Sequence, residues 1–116
     1  DTLWGLRRLL DFTRCPGPAD YATEFQILSM NDDTLLVGMP GEPLCAVGKR
    51  IKSFLPSKHL WPVGYSNDYV GYLVPYDEMP FGGYEAAASR IDPCEVERLV
   101  GEIERVLSIE RKNANA

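Results

Sequence analysis

The apolar and polar positions of this chain fall into runs of two kinds, short near-continuous ones and longer ones at helical spacing. The runs "EFQILSM" (24–30) and "TLLVGM" (34–39) are of strand length and flank the turn-forming "NDD" (31–33). That arrangement predicts a β-hairpin, and the almost wholly apolar second run belongs at the more central position. "PGEPLCAVGKRIKSFL" (40–55) follows, with Leu44, Val47, Ile51 and Leu55 in a helical stripe and Pro43 suited to a first helical position. "HLWPVGYS" (59–66) predicts another strand, which Pro62 assigns to an edge or an end.

The clearest helix comes last, in "IDPCEVERLVGEIERVLSIERK" (91–112). Asp92 can cap it, Pro93 sits in the first turn, and Glu95 completes a capping-box-like spacing. Val96, Leu99, Val100, Ile103, Val106 and Leu107 form its apolar stripe, Glu102, Glu104 and Glu110 fall to a solvated face, and the terminal "NANA" is expected to fray. At the other end, "DTLWGLRRLLDF" (1–12) places Leu3, Leu6 and Leu10 on one face of a short helix that "CPGPAD" (15–20) then breaks. The pattern as a whole predicts one mixed α/β domain over 1–116, with a mixed sheet of about three or four strands packed on helices and a long C-terminal helix.

Composition narrows the function classes. The chain is 116 residues, 45% hydrophobic and 25% charged, which suits one ordinary globular core. A net charge of −5 argues against nucleic acid as partner, and no apolar run reaches the roughly 18 residues of a membrane span. Cys15, Cys45 and Cys94 are sparse, odd in number and without a CxxC, a pattern that reads as reduced and mostly buried thiols, with one disulfide plus one free thiol as the alternative. The chain opens on Asp1 rather than Met, the expectation for a processed start or a piece of a longer polypeptide.

Candidate chemistry is concentrated in two stretches. His59 is the sole histidine, so no serine–histidine, cysteine–histidine or multi-histidine zinc constellation is complete within this sequence. In "VGMPGEPL" (37–44), an apolar strand runs through Pro-Gly and delivers Glu42 just ahead of a helix. Glu42 there has two readings: a charge favouring the helix N-terminus, or a ligand-facing group at a strand end. The stretch from Val63 to Ser89 holds five of the six tyrosines, and Tyr69 and Tyr72 lie three apart around Gly71. These rings either fill a small loop-covered core with their hydroxyls on backbone, or line a site. "GGYEAAAS" (82–89) similarly presents Tyr84 and Glu85 after a flexible turn, opening a short helical stretch.

Taken in order, "LLVGMPGEPL", "VGYSNDYVGYLVP" and "GGYEAAAS" resemble the late part of the catalytic domain of neutral/alkaline ceramidases. They are closer still to the ceramidase-like family of bacterial hydrolases. The resemblance runs from about Glu24 to Ser89. It implies hydrolysis of N-acyl amides at one zinc ion held by two histidines, a glutamate and a tyrosine. By position in the motifs, Glu42 and Tyr72 would be the metal ligands, with Asn67, Tyr69, Tyr84 and Glu85 as supporting residues. The histidines lie upstream in that family and His59 matches neither. The resemblance therefore implies a C-terminal piece of a larger catalytic domain, inactive alone, whose partner is the upstream part of its parent protein, in a family often exported. The alternative is a non-enzymatic α/β module whose tyrosine-rich surface joins a partner or a second copy of itself.

Overall fold

The expected hairpin is present in the computed structural model, which describes residues 22–114. Strands β1 (Gln26–Ser29) and β2 (Thr34–Gly38) pair antiparallel, with Ile27 opposite Val37 and Leu28 opposite Leu36. Asn31 shapes the turn through its side chain, whose Oδ1 accepts the Asp33 N–H at 2.9 Å. Strand β2 is central as its apolar run requires, because β4 (His59–Val63) lies parallel along its other side. Proline 62 sits in β4, an edge strand of this sheet, where a missing N–H costs no ladder bond.

After β2 the chain passes through Met39, Pro40 and Gly41 into a second, two-stranded sheet. Its members are β3 (Glu42–Pro43) and β5 (Tyr72–Leu73), which pair parallel with Glu42 opposite Tyr72. Pro43 is thus a strand residue rather than the first residue of a helix. The reason is the ladder: Leu44 N–H still donates to Leu73 O at 3.3 Å, so the backbone stays extended through Leu44. Helix α1 (Cys45–Ser53) begins only after that bond, with Leu44 as an extended N-cap. It buries Val47 and Ile51, while Leu55 of the expected stripe is buried just past the helix end.

The main core lies between the three-stranded sheet and the helices. Leu35, Val37 and Leu60 from the sheet meet Val47 and Ile51 of α1 and Val96, Val100, Ile103 and Leu107 of α3 (Pro93–Ala114). Burial of these side chains is the principal source of stability. The opposite face of the sheet is open, with Leu28 51% and Trp61 61% exposed in the same cross-strand row as Leu36. A smaller cluster of Val74, Met79 and Ala86 joins β5 to a 3-10 turn (Met79–Phe81) and the short helix α2 (Tyr84–Ala88). Among the described residues these elements make a small mixed α/β domain with five strands in two sheets and three α-helices, the last of them long.

Asp92 caps α3 as its position dictates, its Oδ1 accepting the Cys94 N–H at 2.8 Å. The capping box is not closed, because Glu95 forms an ion pair with Arg98 at 2.7 Å instead. A second correction concerns the last turn: α3 runs to Ala114, so 113–114 of the "NANA" expected to fray are helical, while 115–116 lie outside the described residues. A third concerns the thiols. Cys45 is a free thiol as expected but exposed rather than buried, whereas Cys94 is disulfide-bonded rather than reduced. The helix expected over 1–12 and Cys15 lie outside the described residues. Among the described residues no helix is long and apolar enough to cross a membrane.

Candidate functional site

Two segments distant in sequence are laced together through their backbones. Along Met39–Leu44 and Val63–Leu73, Met39 N–H donates to Val63 O, Ser66 N–H to Met39 O and Tyr65 N–H to Gly41 O, at 2.8–3.0 Å. Val70 N–H then donates to Pro40 O at 2.8 Å and Glu42 N–H to Gly71 O at 2.9 Å. Gly71, at φ 98°, adopts a backbone conformation that a side chain would oppose. The chemistry-bearing residues are therefore placed by main-chain bonds, which need no particular side chain beyond small residues at the crossing points.

This lacing places Glu42 outside the first turn of α1. The residue precedes α1 by three positions and lies in β3, and the first turn of α1 holds no acidic side chain. Its carboxylate instead accepts the Tyr69 hydroxyl at 2.8 Å on Oε1. The tyrosines are likewise not simple packing. Tyr69 is exposed and bonds a carboxylate rather than backbone. Tyr72 packs its ring on the Val74–Met79–Ala86 cluster and comes within interaction range of the Glu42 carboxylate. Such a ring has an apolar body and a polar tip, here turned toward a charge.

The remaining expected residues surround this pair. Tyr84 meets Tyr72 edge to face, with ring centroids 5.9 Å apart. Glu85, exposed in the first turn of α2, adds negative charge near the Tyr72 phenol. Asn67 is farther out: its amide donates to Gln26 Oε1 at 2.8 Å, so it anchors the loop to β1 rather than touching Glu42.

Tyr65 is the residue that sequence reasoning missed. Its ring stacks on Tyr69 at 5.6 Å and 7°, and its phenol is near enough to the Glu42 carboxylate to be raised by it. Its φ of 55° and that of Asn67, 67°, lie in the left-handed region, which Asn tolerates and Tyr adopts only under constraint. Spacing gives no hint of this. The only signal in the sequence is the crowding of tyrosine and glycine itself.

The electrostatics follow from one carboxylate among phenols. Hydrogen bonding to Glu42, then desolvation and the Glu42 charge, push the Tyr65 phenol up to about 12. The Tyr69 phenol is raised chiefly by its bond to Glu42, with Arg90 pulling the other way. The Tyr72 phenol is raised first by desolvation and then by the Glu42 charge. In the metal-free protein these groups are neutral hydroxyls at neutral pH. A folded-state pKa above the ordinary value of about 10 stabilises the fold below that pH. That contribution is lost as pH rises through the folded value of about 12 for Tyr65. We expect ultraviolet titration of Glu42→Gln to show the Tyr65 phenol moving back toward its ordinary value, assigned by difference from Tyr65→Phe. An unchanged titration would mean that Glu42 does not govern it.

As a metal site this is a partial set of oxygen donors. A carboxylate and a phenol side by side suit a hard or borderline cation, and a bound cation would invert the pKa logic by stabilising the phenolate. Among the described residues no three His, Cys, Asp or Glu converge to hold a metal. His59 pairs with Thr34 while Val63 pairs with Gly38, so it stands at the far end of β4 from the lacing. The donors present fit half a coordination sphere. Comparison with family models, with curated proteins and with solved structures finds no match to this chain.

Proposed function

We propose that this chain supplies the glutamate–tyrosine half of a zinc site in a ceramidase-like amide hydrolase and is inactive alone. The histidine ligands would come from the upstream part of the parent protein. The observation that carries this reading is the pairing of Glu42 with Tyr72 across β3 and β5, with the Tyr72 phenol close enough to sense the Glu42 charge. Two residues separated by thirty positions are placed side by side by backbone lacing. Zinc, when bound, supplies Lewis acidity at an amide carbonyl and hydroxide as nucleophile. The chain's own part is to hold a carboxylate oxygen and the Tyr72 Oη together, with the Oη proton released on ligation. Tyr84 and Glu85 form the adjoining wall.

Zinc titration of the chain tests the reading, with calorimetry for affinity and ultraviolet difference spectra for phenolate. Zinc should bind weakly and produce a phenolate band at neutral pH that Tyr72→Phe abolishes. Glu42→Gln and Tyr72→Phe should each lower affinity by at least ~10-fold, the smaller end of what even outer-sphere losses cost. Equal affinity in wild type and both variants, with no phenolate band, would sink the metal reading.

A further inference from the structure

We propose that Tyr65 and Tyr69 act together as a stacked clamp that sets the orientation of the Glu42 carboxylate. They are positioning residues, and their consequence for a metal rests on the half-site reading above. A glutamate side chain at a partly exposed strand end has three torsions to fix, and one backbone ladder does not fix them. Tyr69 does so directly, donating its hydroxyl to Glu42 Oε1 at 2.8 Å. That bond fixes the direction of Oε1, and the Tyr65 phenol stands beside the same carboxylate. The carboxylate thereby becomes a ligand of defined direction.

The clamp is itself held at every level. The Tyr69 ring lies on Tyr65 at 5.6 Å and nearly parallel. The Tyr65 N–H donates to Gly41 O at 2.9 Å, one residue before Glu42. The clamp is thus tied to the residue that precedes the carboxylate it holds. Asp68 Oδ1 accepts the Tyr69 N–H at 2.7 Å, and the Asn67 amide ties the turn to Gln26 on β1. These bonds oppose relaxation of Tyr65 and Asn67 from their left-handed φ values, 55° and 67°. Orienting a ligand through hydrogen bonds from a surrounding shell is a general feature of metal sites.

The test uses the full chain with Tyr69→Phe, Tyr65→Ala and Tyr65→Phe, each shown folded by its amide fingerprint away from the loop. In metal-free protein, nuclear Overhauser contacts between the Glu42 side chain and the Tyr72 ring report the orientation directly. Tyr69→Phe and Tyr65→Ala should reduce those contacts by roughly half or more and zinc affinity by ~10-fold. Tyr65→Phe, which keeps the stack, should retain more of both than Tyr65→Ala. Unchanged contacts and affinity in Tyr69→Phe would overturn the clamp, even if Glu42→Gln and Tyr72→Phe weaken zinc. Conversely, if Tyr69→Phe frees Glu42 while Glu42→Gln and Tyr72→Phe leave zinc binding unaltered, the clamp stands and the half-site reading fails.

Discussion

Gly41→Ala is expected to destabilise the fold by about 3 kcal/mol and to part Glu42 from Tyr72. A Cβ on Gly41 would stand 2.4 Å from the Gly71 carbonyl oxygen and 3.3 Å from Leu73 Cγ. Neither neighbour can yield cheaply. Gly71 O accepts the Glu42 N–H at 2.9 Å, and Leu73 is 1% exposed within the main core. Relief of the clash must therefore break the lacing or shift β5. Reduced freedom of the unfolded chain returns roughly 0.4–1 kcal/mol at a compatible glycine, too little to offset such a contact. Denaturant unfolding measures the loss, with a lowered midpoint at constant slope. A change smaller than about 0.5 kcal/mol would show that the two segments do not meet backbone to backbone.

Leu73→Ala is expected to cost a similar amount, about 3–4 kcal/mol, by opening a cavity in the core. Its larger interest is where the loss falls. Adjacent residues near a strand point to opposite sides, and here Leu73 enters the main core while Val74 enters the smaller cluster that carries the Tyr72 ring. β5 is only two residues long, so its place depends on those anchors as much as on its ladder with β3. Loss of Leu73 should weaken unfolding stability and the Glu42–Tyr72 nuclear Overhauser contacts together. Leu28→Ala, on the open face of the sheet, should cost far less and leave those contacts intact. Loss of stability with full retention of the contacts would show that β5 is placed by the ladder alone.

Much of the scaffold was legible because it rests on local patterns. The hairpin around Asn31, the central position of β2 and the buried stripe of α3 each follow from residues close in sequence. Other expectations failed where a competing partner intervened. Pro43 left its expected helix because the distant Leu73 offers a carbonyl to Leu44, and Cys94 is disulfide-bonded rather than a thiol. Glu95 turned from the cap to Arg98, a competition between two local partners that spacing does not rank.

The candidate site divides along the same line. The residue types are legible along the chain: one glutamate after Pro-Gly, a crowd of tyrosines, and glycines where backbones must meet. It also supplied the ordered motifs that pointed to Glu42 and Tyr72. Folding alone brings these two opposite one another, sets the Tyr69 hydroxyl on the carboxylate and stacks Tyr65 on Tyr69. The reason is the nature of the contact. A parallel pair such as β3 and β5 has no turn between its strands, so no periodicity announces its register. That register is set by backbone bonds across some thirty residues, and the burial of Leu73 holds it there.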